Sequence, residues 1–216
     1  MNTLEFNSVT QTKESQKTVS PSIALDLLKS GNQRFVSNKK ANRNLNGQVT
    51  DTSTGQFPFA TILSCIDSRV SSEIIFDQGI GDVFSVRIAG NFINTDILGS
   101  MEFACKLAGT PLIVVLGHTS CGAVKGACDH AELGNLTSML DNIMPAVNAV
   151  SSPIDIDLRN SKNLEFVNTV AEKNVALSIQ RILDESSVLS EMVDDGELQI
   201  VGGMYDISSG EVTFLS

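Results

Sequence analysis

The chain has 216 residues, a formal net charge of -10 and a pI near 4.6. That length suits one well-buried core and is short for two, so a single domain is expected. The acidic balance repels phosphate backbones, the longest basic run is Lys39-Lys40, and no apolar run approaches the roughly 20 residues of a membrane-spanning helix, so neither nucleic acid nor membrane is expected as a partner.

Residues 1–19 are polar and rich in Thr, Ser, Gln and Lys. They read as part of a flexible N-terminal arm over 1–21, ahead of a single domain over 22–216. This stretch lacks the apolar core of a secretory leader, so a cytoplasmic location is expected. In that reducing setting the four cysteines read as free thiols rather than disulfides. Ser20-Pro21 supplies a helix cap and a first-turn proline, predicting a helix over about 22–36 with Gly31 as a candidate break. The Asn, Lys, Thr and Gly of 37–55 predict a loop or extended arm.

Pro58 introduces a first strand over Phe59–Leu63. A short helix at 71–76, a strand at Val83–Ile88, a Gly90-Asn91 turn and a helix at 94–107 follow. Pro111 stops that helix, and Leu112–Leu116 is the most strand-like run, ending in Gly117-His118. Cys121 opens a helix of small residues over 122–127. Helical patterns resume at 136–150, with a kink expected at Pro145, and at 163–183, while 198–202 and 212–215 form a strand pair. Strands alternating with helices predict an α/β fold: a mostly parallel central sheet flanked by helices, with an N-terminal helical arm and the last strand antiparallel on an edge.

Two clusters carry the chemistry. Cys65-Ile66-Asp67-Ser68-Arg69 follows one predicted strand, and His118-Thr119-Ser120-Cys121-Gly122 ends another. Taken singly, Cys65 reads as a core cysteine and His118 as a satisfied core histidine. Together, C-x-D-x-R and H-x-x-C at two strand ends outweigh those readings. Zinc takes Cys sulfur and His nitrogen, and three protein ligands with an open fourth position make the catalytic arrangement. Cys105 and Cys128 lack ligand spacing and read as core residues. His130 reads as a solvated helix residue, with a proton shuttle as its functional alternative.

Through Cys65–Val70 and Gly117–Gly122 the sequence resembles the β-class carbonic anhydrases, over about 22–214. Gln56, the run Phe84–Asn91 and Glu102-Phe103 belong to the same resemblance. It implies reversible hydration of CO2 to bicarbonate and a proton by zinc-bound hydroxide, with one Zn2+ per chain on Cys65, His118 and Cys121. Asp67 would orient the hydroxide and Arg69 would hold that carboxylate, although Asp67 can alternatively become a fourth ligand in a closed state. Two thiolates offset the charge of the ion, so activity is expected to rise toward alkaline pH.

The implied substrate pocket is Gln56, Phe84, Ala89, Phe103 and Gly122, with Phe103 standing where Tyr is frequent. One branch of the family binds inhibitory bicarbonate with a Trp, an Arg and a Tyr. Ile62 occupies the Trp position beside the matching Arg87 and Tyr205, so no such trap is expected. A homodimer or homotetramer is implied, with the pocket lined from both chains. The alternatives are a CS2/COS hydrolase of the same fold and a non-catalytic zinc-binding homologue. Redox chemistry is disfavoured, because no C-x-x-C pairs two thiols.

Overall fold

The computed structural model describes residues 9–215. Helical turn α1 (Lys13–Gln16) and helices α2 (Pro21–Val36) and α3 (Leu45–Asp51) precede strand β1 (Ala60–Ser64). Then come α4 (Ser72–Ile75), β2 (Val83–Arg87), α5 (Thr95–Glu102) with a π-helical continuation at Phe103–Leu107, and β3 (Leu112–His118). Helices α6 (Gly122–Cys128), α7 (Gly134–Leu140), α8 (Met144–Ala149), α9 (Leu164–Glu185) and α10 (Ser187–Asp194) lead to β4 (Gln199–Tyr205) and β5 (Val212–Leu215).

The five strands form one sheet in the order β2-β1-β3-β4-β5. The first four are mutually parallel and β5 is antiparallel to β4, as expected. β1 and β3 are buried along their whole length, the mark of central strands covered on both faces. Alternate side chains divide between the two helical layers. Ile62, Leu112, Val114 and Leu116 pack with Leu27, Leu28 and Phe76 of the α2–α4 layer. Leu63, Ile113 and Val115 pack with Met101, Val175, Ile182 and Leu189 of the opposite layer.

Several elements differ from the sequence reading. α2 runs unbroken through Gly31, because the glycine answers a close approach: a Cβ there would lie 1.8 Å from the Phe76 carbonyl oxygen. The segment 37–55 is not wholly extended. Asn44 caps α3 by accepting the Gly47 N–H, and the buried Gln48 accepts the Ile80 N–H at 3.1 Å, a tertiary tie with no local signal. The helical pattern at 136–150 splits into α7 and α8, with Pro145 in the first turn of the second, where its missing N–H costs nothing.

The described part of the predicted arm rests on the body. Gln16 Nε2 donates to the carbonyls of Pro58 and Ala108, and Val19 is buried. Residues 1–8 of that arm lie outside the described residues. Among the described residues no helix is long and apolar enough to cross a membrane.

Candidate metal centre

Because β1 and β3 are adjacent and parallel, with Ser64 opposite Leu116, their carboxyl ends open on the same side of the sheet. Cys65 is the residue after β1, His118 is the last of β3, and Cys121 precedes the first turn of α6. Their ligand atoms all lie within 4.8 Å of one another. The two sulfurs are 3.9 Å apart, and all three residues are buried.

The histidine is held in one orientation. Its Nδ1–H donates to the Thr119 carbonyl at 3.0 Å, which leaves Nε2 as the acceptor. Nε2 is buried and has no hydrogen-bond partner. A buried acceptor left unpaired is costly unless something binds it. Two sulfurs and one imidazole nitrogen converging in this way fit the donor set and coordination number of zinc. The hydrogen bond between the two thiols, ahead of contributions from His118 and the Gly90 N–H, lowers Cys65 against the opposing effect of its burial. The same hydrogen bond, joined by burial, pushes Cys121 up.

Gly90 closes one wall. Its N–H donates to Cys65 Sγ at 3.3 Å, and its φ of +81° lies where glycine is favoured. A Cβ here would also sit 2.4 Å from Ile143 Cδ1. The other loop contains a second left-handed residue, Ser120, whose N–H donates to Asn168 Oδ1 at 2.9 Å.

Asp67 faces the centre without occupying it. Arg69 grips the carboxylate through Nε on Oδ1 at 2.9 Å and Nη2 on Oδ2 at 2.7 Å, and the Arg69 backbone N–H adds a bond to Oδ1 at 3.0 Å. Those bonds, the guanidinium first, hold Asp67 well below the usual carboxylate range. Its Oδ2 is also 4.0 Å from His118 Nε2. Arg87 braces the same turn, donating from Nε to the Cys65 carbonyl at 3.0 Å and from Nη2 to the Asp67 carbonyl at 2.8 Å.

Of the five predicted pocket residues, Phe84 and Phe103 meet edge to face, with ring centroids 6.2 Å apart. Together with Arg87 and Gly99 they line a groove of 780 Å³ that takes in neither Gln56 nor Cys65, His118 or Cys121. Ala89 directly precedes Gly90, and Gly122 begins α6 beside Cys121. Gln56 is exposed in the loop before β1. Cys105 and Cys128 are buried, as expected, and burial brings each thiol up to about 11. His130 is an exposed left-handed residue just beyond α6.

Sequence reading missed the polar residues of α9, Asn168, Asn174 and Ser178, which hydrogen-bond to the loops around the centre. The available signal was a polar pair at 174 and 178 within a stripe otherwise of Val167, Val170, Ala171 and Val175.

Residues 60–212 match the family model described as carbonic anhydrase. The chain is 38% identical over 191 residues to "Carbonic anhydrase 2" of Mycobacterium tuberculosis, covering 88% of this chain and 90% of that one. Among solved structures, the β-carbonic anhydrase CafA of Aspergillus fumigatus is 26% identical with a TM-score of 0.68, covering 90% of each chain. A structure from a report on two tetrameric β-carbonic anhydrases of Sordaria macrospora shares the fold, at 24% identity and a TM-score of 0.65, covering 79% of this chain and 90% of that one. With the Cys/His/Cys trio at the strand ends of the same fold, the chain belongs to the carbonic anhydrase family, in its β class.

Proposed function

We propose that this chain catalyses the reversible hydration of CO2 to bicarbonate and a proton, with one zinc ion on Cys65, His118 and Cys121. The observation that carries the reading is the convergence of those three ligand atoms within 4.8 Å, with a buried, unpartnered His118 Nε2 among them. A zinc ion held there supplies Lewis-acid activation of water for attack on carbon. Asp67 accepts a hydrogen bond from the attacking water and orients it. Arg69 keeps the carboxylate ionised and turned toward its own guanidinium. That assignment is supported by the two-point grip of Arg69 on Asp67.

CO2 offers no charge to grip, so an apolar pocket suits it. Gln56, Phe84, Ala89, Phe103 and Gly122 supply that pocket, completed by a second copy of the chain in a homodimer or homotetramer. Three observations support the completion: the outer edge of β2 has no strand partner among the described residues, Phe103 is 52% exposed beside Phe84, and Gln56 is exposed. A cytoplasmic location suits the chemistry, because all four cysteines are free and two of them must stay reduced to bind the ion.

Stopped-flow CO2 hydration from neutral to alkaline pH, with zinc quantified in the same sample, tests the proposal. Fast hydration that disappears on zinc removal, returns on zinc addition and rises toward alkaline pH is expected. One zinc per chain with no hydration at any pH would overturn it.

A further inference from the structure

Helix α9 brings polar side chains into the protein interior at the level of the metal loops. Asn174 and Ser178, one helical turn apart, are each 3% exposed and lie among Ala171, Val175 and Ile182. Each donates to one of two successive carbonyls: Asn174 Nδ2 to Gly90 at 2.8 Å and Ser178 Oγ to Asn91 at 3.3 Å. Those carbonyls belong to a turn in which both Gly90 (φ +81°) and Asn91 (φ +39°) are left-handed, closed by Asn91 N–H on the Ile88 carbonyl. A left-handed asparagine persists where its surroundings hold it. The same turn sends the Gly90 N–H to Cys65 Sγ at 3.3 Å. The direction of that N–H depends on the shape of the turn, and α9 is what grips the turn from behind.

We propose that Asn174 is a positioning residue of the metal centre: by holding the Gly90 carbonyl it keeps the Gly90 N–H aimed at the Cys65 sulfur, so that the ligand is preformed for the ion. Ser178 supports the next carbonyl, and Asn168, six residues before Asn174 on the same helix, holds the Ser120 N–H of the second ligand loop. One rigid 22-residue helix thereby sets the separation of the two loops. An N–H on a thiolate also withdraws charge from it, so the effect reaches the electronic character of the ligand as well as its position. This inference rests on the zinc reading above.

The test uses Asn174→Leu, which removes the donor at similar volume, and Asn174→Ala, which removes it by truncation. Ile182→Val, fully buried two turns further along the same helix, serves as a purely structural control. Zinc affinity is read by competition with a chromophoric chelator, and the thiolate-to-metal charge-transfer band is read after cobalt substitution. Both Asn174 variants are expected to bind zinc about 10- to 100-fold more weakly and to shift the cobalt band. Ile182→Val is expected to lose thermal stability while keeping the parent affinity and band. Asn174 variants within about twofold of the parent affinity, with an unchanged band, would overturn the proposal. Should neither variant fold, the parent loaded with cadmium-113 decides: a scalar coupling from the Gly90 amide proton to the metal, together with an Asn174 side-chain amide protected from exchange, supports it, and loss of either signal overturns it. A parent that takes up neither zinc nor cadmium refutes the metal reading itself, an outcome distinct from failure of the Asn174 assignment.

Discussion

Two buried carboxylates near Arg43 have opposite fates, and the contrast yields a stability prediction with a definite sign. Asp77 receives Arg34 at 2.5 Å, Arg43 at 2.7 Å and the Ala41 N–H at 3.0 Å. Burial opposes its ionisation, but these three partners outweigh burial and hold it below the ordinary carboxylate range. Asp82, 2% exposed, has only the Gly79 N–H on Oδ2 at 2.7 Å and nothing on Oδ1. Here burial dominates, and the carboxyl rises from 3.8 to about 6. The folded protein therefore keeps this proton over a pH range where the unfolded chain has released it. The contribution of Asp82 to stability is complete below about pH 4 and falls as pH rises through about 6. At about 1.4 kcal/mol for each tenfold change, the loss amounts to about 3 kcal/mol at pH 7 and above.

Asp82→Asn retains an acceptor for the Gly79 N–H and removes the ionisation. Urea unfolding of parent and variant, metal-free and at one protein concentration because assembly shifts apparent stability, should be compared between pH 4 and 8. The two should be close at pH 4. The variant should gain on the parent through pH 5 and 6 and lead by about 3 kcal/mol at pH 8. A difference that stays constant across the range would refute the burial argument.

Asp67→Asn is expected to lower kcat/KM for CO2 hydration about 100-fold or more with zinc content unchanged. Because Arg69 keeps Asp67 ionised throughout the working range, the loss should be equal at pH 7 and pH 9, as stopped-flow would show; wild-type rates in the variant would end its catalytic assignment. Added bicarbonate should inhibit only as a product does, since Ile62 is fully buried and Arg87 is engaged with the Cys65 and Asp67 carbonyls; steep, cooperative loss of activity would contradict this. Phe103→Glu, at the exposed edge beside Phe84, should reduce the mass seen by light scattering and lower activity with it; an unchanged assembly would show that the β2 edge is not an interface.

Cys65, His118 and Cys121 were legible because their chemistry is compressed into two five-residue motifs, each following an apolar or largely apolar run that reads as a covered strand. What supports them was not legible. Asn174 and Ser178 act on carbonyls 84 and 87 residues away in the chain, so no window of sequence contains both partners. α3 was missed for the same reason, since its buried Gln48 is explained only by Ile80, 32 residues on. α10 was missed because Ser186 both ends α9 and caps the next helix, its hydroxyl accepting the Leu189 N–H, so one residue carries a stop and a start.

The site also requires the parallel arrangement. Cys65 and Cys121 are separated by 56 residues, yet their sulfurs are 3.9 Å apart, because β1 and β3 run in the same direction and end in register. If β3 ran antiparallel to β1, His118 would lie beyond the opposite end of a five-residue strand, about 16 Å away at roughly 3.3 Å per residue. No side-chain rotation closes that gap. The parallel pair in turn needs a long crossover, and the segment between β1 and β3 fills it with β2 and α5, delivering Gly90 against the Cys65 sulfur on the way. The connection that makes the sheet parallel is thus also the source of the N–H that meets the Cys65 sulfur.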